Sequence, residues 1–127
     1  MTVRERWLVD GMNVVGARPD GWWRDRTAAM RRLVARLEAF AVEHEVTVVF
    51  DGTPRDVGAD RVAVAFAPGG RDAADREIAR RVTADADPSA LRVATSDRQL
   101  AAGVRAAGAE VVGAGTFLAR LDAGRAG

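Results

Sequence analysis

Short apolar runs alternate with helical patterns along this chain, and this alternation constrains the fold more than any other feature. Residues 46–50 form a continuous apolar run, as expected of a strand buried on both faces of a parallel sheet. Between this run and an earlier one at residues 7–9 lies a long stretch whose apolar residues recur with helical spacing. The alternation predicts an α/β fold, a three-layer sandwich around a mostly parallel five-stranded sheet.

The strands are predicted at residues 7–9, 46–50, 62–66, 91–95 and 110–112. The first long helix has its apolar face on Met30, Leu33, Val34, Leu37, Phe40 and Ala41, and further helices are predicted at residues 72–83, 97–107 and 116–123. A loop with Gly11, Gly16, Pro19 and Gly21 is predicted after the first strand. Because no linker or internal repeat interrupts this order, residues 1–127 are predicted to form a single domain.

Composition describes a globular protein and excludes several classes of site. Hydrophobic residues make up 48% of the chain and the formal net charge is +1, which does not fit a disordered tail. The absence of cysteine excludes a disulfide framework and thiolate metal sites. No apolar stretch has the length of a signal peptide core or a membrane span, so we expect a cytoplasmic protein with no membrane partner.

Aspartates recur where the predicted strands end. Asp10, Asp51 and Asp97 each lie at or just past the end of an apolar run. Ligands of open α/β sheets bind beyond the carboxyl ends of the strands, so one edge of the sheet is expected to hold all three. Asp75 shares helical spacing with the apolar residues Ile78 and Val82 in the first turn of a predicted helix, which places it at the same edge.

Four converging carboxylates predict a metal site. Two carboxylates about 4 Å apart repel each other by roughly 4 kcal/mol at an effective dielectric constant near 20. A divalent cation removes this repulsion, and Mg²⁺ or Mn²⁺ prefers carboxylate oxygens as ligands. Such a cation also acidifies a bound water and neutralises charge on a phosphoryl group. The predicted chemistry is metal-assisted phosphodiester hydrolysis.

Each of these aspartates also has a structural interpretation. The Asp-Gly pairs that begin at Asp10 and Asp51 are ordinary turn sequences, and Asp97 suits a helix N-cap. Asp72 also suits an N-cap, with a metal-ligand role left open, and Asp75 would benefit from a helix dipole. Capping alone predicts no common location, so the shared edge favours a functional site.

Three polar residues near the predicted strand ends and turns have open roles. Asn13 would either satisfy backbone groups in the loop after the first strand or orient Asp10 or a metal-bound water. Ser96 would either cap a helix or donate a hydrogen bond to a carboxylate. His44 lies between a helix and a strand at the opposite edge from the acids, so it is not expected to act as a general base.

The sequence resembles the NYN domain ribonucleases, in the YacP-like branch of the PIN-like nuclease fold. The resemblance rests on "VDGMNVVGARPD", "VVFDG", "GRDAADREI" and "VATSDRQLAAGVRAAGAEVVGAGTFLARL", which occur in the family's order and span nearly the whole chain. It implies a sheet in the order third, second, first, fourth, fifth strand, and a divalent-metal-dependent endoribonuclease. It also implies catalytic and metal-binding roles for Asp10, Asp51, Asp75 and Asp97, with Asn13 in the first motif.

Single-stranded RNA is the expected partner, with messenger RNA and ribosome-associated RNA as candidates. All 19 basic residues are arginine, which fits either codon bias or phosphate binding. The residues expected to contact RNA lie near the predicted catalytic edge and are Arg18, Arg24, Arg71, Arg76, Arg98 and Trp22. One of the neighbouring pair Trp22 and Trp23 would instead pack on the following helix. Arg31, Arg32 and Arg36 are expected to lie on a solvated face.

The sequence therefore predicts cleavage of single-stranded RNA by a metal-dependent endoribonuclease. The alternative is a non-catalytic RNA-binding or adaptor domain that keeps the PIN-like fold. Intact acids argue against that alternative, and a cleavage assay would separate the two.

Overall fold

The computed structural model describes residues 3–126, except for the side chains of residues 125 and 126. The strands are β1 (Arg6–Asp10), β2 (Glu45–Asp51), β3 (Ala63–Ala67), β4 (Leu91–Ala94) and β5 (Glu110–Val112). The α-helices are α1 (Gly11–Val15), α2 (Arg26–Phe40), α3 (Ala73–Ala84), α4 (Arg98–Ala106) and α5 (Ala114–Ala126). Two short 3₁₀ helices cover Trp22–Arg24 and Pro88–Ala90. All the predicted strands and long helices are present.

All five strands pair in parallel, in the order β3-β2-β1-β4-β5. The central strand β1 lies between β2 and β4, with Leu8 beside Thr47 on one side and Val93 on the other. Chain order reverses across β1, and ligands of such sheets bind beyond the carboxyl ends of the strands at this switch point. The predicted strand order is confirmed.

Helices cover both faces of the sheet, which gives the three predicted layers. On one face, α1, α2 and α5 enclose a core around Trp7, Val9, Phe50 and Phe117. On the other face, α3 and α4 pack against alternate strand residues such as Leu8, Val49 and Val93, with Ile78 and Val104 between them. Side chains of β1 and β2 therefore alternate between the two cores, as buried parallel strands require.

The segment after β1 differs from the prediction of a loop. Residues Gly11–Val15 form the helix α1 directly after the strand, and Val14 and Val15 are buried in the core. Gly11 does not need the left-handed region; a Cβ there would lie 2.4 Å from Cδ1 of Phe50. The predicted loop is wrong here because Gly11 permits close packing of α1 on β2 and does not form a turn. Gly52, at φ +102°, does fit turn chemistry.

The last helix also begins earlier than predicted. Helix α5 starts at Ala114, whose N–H donates to Oγ of Ser96 at 2.8 Å. Ser96 follows β4, so its hydroxyl reaches a helix that begins well beyond it in the chain. Over residues 3–126, no helix is both long enough and apolar enough to span a membrane.

Candidate active site

The carboxyl edge of the sheet positions four aspartates on one side. Asp10 has the same strand parity as Leu8, and Asp51 has the same parity as Val49, so both point toward the layer of α3 and α4. Asp75 lies in the first turn of α3, and Asp97 is the N-cap of α4. The carboxylates of Asp51, Asp75 and Asp97 all raise the pKa of Asp10 by repulsion. The predicted cluster is thus brought together.

Asp10 is the buried centre of this cluster. Only 4% of the residue is exposed, and its Oδ2 accepts a hydrogen bond at 2.8 Å from Oγ1 of the buried Thr95. Burial raises the pKa of the Asp10 carboxyl to about 7, against the lowering effect of Thr95 and with the help of the neighbouring carboxylates. Although Asp10 precedes α1, its side chain makes no capping hydrogen bond. The turn interpretation of this Asp-Gly pair is also wrong, because Gly11 begins α1.

Asp51 and Asp97 each cap a helix, although only one of them caps the helix that follows it directly. Oδ1 of Asp97 accepts from the N–H of Leu100 at 2.9 Å, as its N-cap position in α4 predicts. Oδ1 of Asp51 accepts from the N–H of Ala74 at 3.0 Å and so caps α3 from the end of β2. In each residue one carboxylate oxygen accepts a hydrogen bond from a backbone N–H at the start of a helix. This hydrogen bond fixes the orientation of the side chain.

Asp72 occupies the N-cap position of α3 but makes no capping hydrogen bond. Asp51 caps the helix instead, so the predicted capping hydrogen bond of Asp72 is not formed. Asp75 lies one turn further on, where burial raises its pKa, with added repulsion from Asp97, Asp51 and Asp72 and a lowering effect of Arg76. Asp75 therefore has the same electrostatic character as Asp10 in a more exposed position.

Thr95 links two of the acids, and sequence reasoning missed it. Its Oγ1 donates to Asp10 and accepts from the N–H of Asp97 at 3.1 Å, while only 1% of the residue is exposed. A hydroxyl residue directly after β4 and two positions before Asp97 was the available signal. Asn13 contributes nearby: its Oδ1 accepts from the N–H of Ser96 at 2.8 Å. Asn13 thus satisfies a backbone group after β4, not one in its own segment.

The predicted RNA contacts divide into two groups. Arg71, Arg76 and Arg98 flank the acids at the starts of α3 and α4 and are exposed. Arg24 is also exposed, with its guanidinium 5.8 Å from the ring centroid of Trp23. Arg18 instead forms an ion pair with Asp122 of α5, which directs it away from the acidic cluster.

The two tryptophans have different environments. Trp22 is half-buried against the core of α1 and α2, with Arg26 over its ring at 5.7 Å. Trp23 is 57% exposed and meets Trp22 edge to face at 6.1 Å. Trp22 is therefore the member of the pair that packs on the protein, and Trp23 offers the open ring.

Two further residues lie away from the acids. His44 is 4% exposed, stacks against Phe40 at the end of α2, and accepts from the N–H of Glu5 through Nδ1 at 3.1 Å. It lies at the amino edge of the sheet, as predicted, and burial lowers its pKa. Arg36 does not belong to a solvated face, because it is largely buried and pairs with Asp122.

The donor set fits a hard divalent cation through part of its coordination shell. Within residues 3–126, no three carboxylate or imidazole side chains are spaced to hold one ion directly. Mg²⁺ binds through one or two carboxylates and keeps several waters, so an all-protein cage is not required. Burial, with added repulsion from neighbouring carboxylates, raises the pKa values of Asp10 and Asp75, so these are the groups a cation would most relieve.

Comparison with known proteins identifies the family. The profile of the YacP-like NYN domain matches residues 7–126, so the chain belongs to this family. Rae1 (YacP) from Bacillus subtilis is similar in structure: TM-score 0.77 and 26% identity, over 95% of this chain and 75% of that one. A tryptophan-to-leucine mutant of the same protein gives TM-score 0.80 and 24% identity, over 95% and 77% of the two chains. No curated protein sequence matches the chain.

The family and the fold agree with each other. The five-stranded parallel sheet flanked by helices matches the Rae1 structures, and the resemblance stated from the four motifs is confirmed. Membership of the NYN family indicates a nuclease-like, RNA-related role.

Proposed function

We propose that this protein is a divalent-metal-dependent endoribonuclease that hydrolyses phosphodiester bonds of single-stranded RNA. The observation that carries the proposal is the buried carboxyl of Asp10, whose pKa is raised to about 7 beside three further aspartates. A buried acid without a cationic partner destabilises a fold, and perturbed groups of this kind concentrate at functional sites. Asp10 is the last residue of β1, and ligands of such sheets bind just beyond the carboxyl ends of the strands.

In this proposal Asp10 and Asp75 would bind Mg²⁺ or Mn²⁺ at the sheet edge, and Asp51 and Asp97 would contact it through the waters that such an ion retains. A cation held there would supply an acidified water and would neutralise charge that develops on the scissile phosphate. Thr95 fixes the Asp10 carboxylate through one oxygen, and the helix-capping bonds of Asp51 and Asp97 fix theirs. The second oxygen of each carboxylate is therefore already oriented before a ligand binds. Asn13 positions the backbone of Ser96 between Thr95 and Asp97.

RNA reaches this site past exposed arginines. Arg71, Arg76 and Arg98 stand beside the starts of α3 and α4, and they offset the repulsion between RNA phosphates and the acids. Arg24 and Trp23 extend this surface, because an exposed indole stacks on unpaired bases without reading their sequence. Trp22 packs on the core and contacts the ring of Trp23. Arg18 pairs with Asp122 of α5 and is not part of the proposed RNA surface.

The test is cleavage of mixed single-stranded RNAs in Mn²⁺ and in EDTA, with Asp10→Asn as the decisive variant. Asn keeps the shape of the side chain but removes its charge, so we expect at least a roughly hundred-fold loss of rate. Asp60→Asn is the matched control, because Asp60 is exposed and its segment hydrogen-bonds Glu38 near the end of α2. Wild-type cleavage by the Asp10 variant would remove this residue from the mechanism.

A non-catalytic RNA-binding domain remains the second candidate. It is favoured by the spacing of the described carboxylates, because no three of them lie close enough together to bind one ion directly. This candidate predicts RNA binding that Mn²⁺ does not convert into cleavage at any concentration. New RNA ends in Mn²⁺ that disappear in EDTA and in the Asp10 variant would exclude it.

A further inference from the structure

A groove lined by arginines opens beside Asp51 at the carboxyl edge of the sheet. Its volume is about 550 Å³, and Arg26, Arg55 and Arg71 lie on its walls. The three residues come from separate segments: the start of α2, the connection from β2 to β3, and the connection from β3 to α3. We call this feature the arginine groove. Only the tertiary structure brings its members together.

Two of the three guanidinium groups are held in place by neutral partners. Nη1 of Arg55 donates to Oγ1 of Thr27 at 3.0 Å, and its Nε donates to the carbonyl oxygen of Thr53 at 3.4 Å. The guanidinium of Arg26 lies 5.7 Å from the ring centroid of Trp22. These contacts orient the side chains and leave their positive charge uncompensated.

The lack of a carboxylate partner separates these arginines from others in the fold. Several arginines elsewhere form ion pairs within 4.0 Å, among them Arg6, Arg80, Arg92 and Arg120. No described carboxylate lies within that distance of the three arginines of the groove. Three arginines and one carboxylate, that of Asp51, line the groove, so positive charge is in excess and the arrangement favours an anionic ligand.

Glycines keep the floor of the arginine groove open. Gly52 and Gly70 line it, and both adopt positive φ angles, +102° and +103°. A Cβ at Gly52 would lie 3.5 Å from Nη2 of Arg55, in contact with that guanidinium. The backbone at both positions therefore leaves room next to the cationic walls.

We propose that the arginine groove binds the sugar–phosphate backbone of single-stranded RNA on one side of the bond to be cleaved. Asp51 also lines the groove, so the arginines and one residue of the acidic edge share the same surface. Arginine binds phosphate oxygens through two parallel hydrogen bonds and reads no base. The groove therefore contributes affinity and register without sequence preference. This inference rests on the proposed ribonuclease function.

The test is binding of a fluorescent oligouridylate, measured by anisotropy in EDTA, where metal-dependent cleavage does not occur. We expect Arg55→Gln and Arg71→Gln each to weaken binding roughly three- to ten-fold and to reduce the slope of log K against log salt by about 0.7. Arg105→Gln is the matched control, since Arg105 is exposed in the last turn of α4 and loses the same charge. Equal weakening by the control would overturn the proposal.

Arg71→Gln also distinguishes a loss of RNA binding from a loss of folding. Arg71 makes none of the hydrogen bonds that anchor Arg55, so its variant should melt at the wild-type temperature. Wild-type affinity in both groove variants would overturn the proposal. So would binding of inorganic phosphate that these variants abolish while RNA affinity stays unchanged, because the groove would then hold a free anion.

Failure of the groove and failure of the nuclease function give different results. If the groove variants lose RNA affinity but the wild type never cleaves, the groove stands as an RNA-binding surface and the nuclease function is wrong. If the wild type cleaves in Mn²⁺ and both groove variants bind and cleave normally, the nuclease function stands and the groove assignment is wrong.

Discussion

Two carboxylates at the two ends of β1 have opposite electrostatic environments. Glu5, just before the strand, accepts from Arg120 at 2.6 Å and from Nε1 of Trp7 at 3.2 Å, and it pairs with Arg92 at 2.9 Å. Burial alone would raise its pKa, but these hydrogen bonds and charges lower it below the usual value. Asp10, at the end of the same strand, is buried among other acids, and its pKa is raised to about 7.

The difference separates a structural charge from a functional one. At the amino edge, Arg92 and Arg120 offset the charge of the partly buried Glu5, and the arrangement stabilises the fold. At the carboxyl edge, Thr95 is the one described side chain that donates a hydrogen bond to Asp10, and no described cation pairs with it. The carboxyl edge therefore loses stability unless a ligand supplies the missing positive charge.

The largest effect on stability is expected from Asp10→Asn without metal. Ionisation of Asp10 is opposed by its shift from 3.8 to about 7, and each unit corresponds to about 1.4 kcal/mol. We expect the variant to be more stable than the wild type by roughly 2 to 4 kcal/mol at about pH 8.5 in EDTA. Denaturant unfolding of both proteins across pH measures the difference.

The sign of the pH dependence follows from the raised pKa. The folded state keeps the Asp10 proton to a higher pH than the unfolded state, so wild-type stability falls as the pH rises from 3.8 through about 7. The variant lacks this fall, and the two curves should meet at low pH. Parallel curves over this range would contradict the assigned environment of Asp10.

A divalent cation is expected to restore stability at the carboxyl edge. Mn²⁺ that binds only the folded state adds about 2.7 kcal/mol at a free concentration of 100 times Kd. Thermal melts of the wild type with increasing Mn²⁺, next to Asp10→Asn under the same conditions, measure the effect. An unchanged wild-type melting temperature at millimolar Mn²⁺ would show that the acids do not form a metal site.

Glu5→Gln is expected to act in the opposite direction at the amino edge. The change leaves Arg92 and Arg120 without their carboxylate, at a cost of about 2 kcal/mol after allowance for partial exposure. Because its folded pKa is lowered from 4.5, Glu5 stabilises the fold above that value and loses this contribution as the pH falls. Unfolding at about pH 7 and about pH 3 tests this, with the exposed Glu43→Gln as control.

Thr95→Val is expected to destabilise the carboxyl edge further relative to the amino edge, because it removes the hydrogen-bond donor to Asp10. The change also leaves the N–H of Asp97 without its acceptor, so a loss of about 1 to 2 kcal/mol is expected. Since Thr95 lowers the pKa of Asp10, the loss should be greater above about pH 7 than at low pH. A loss that does not vary with pH would mean that the hydroxyl acts on packing alone.

The smallest effects are expected at Asp97, which has a structural task as well as a proposed catalytic one. Asp97→Asn keeps an N-cap acceptor for Leu100 and should change stability by a few tenths of a kcal/mol, whereas Asp97→Ala should cost about 1 kcal/mol. Cleavage assays on both variants separate capping from catalysis. If Asn restores both stability and cleavage, the residue is a cap and nothing more.

The fold was predictable because each local pattern agreed with the others. Continuous apolar runs such as residues 46–50 and the helical face around Leu33 and Leu37 are properties of short segments, and both are buried as predicted. The common edge of Asp10 and Asp51 also follows from where two strands end. The helix α1 was missed because the close approach of Gly11 to Phe50 involves β2, which is distant in sequence.

By itself, the sequence determined the strands, the long helices and the edge at which the acids gather, because hydrophobic periodicity and strand ends are written in neighbouring residues. Only the tertiary structure decided what each polar group contacts. Asp51 caps α3, Thr95 binds Asp10, and Arg18 pairs with Asp122, although sequence spacing relates none of these pairs. Hydrogen bonds and ion pairs require particular distances and angles between a few atoms. Those distances are set by how whole helices and strands pack together.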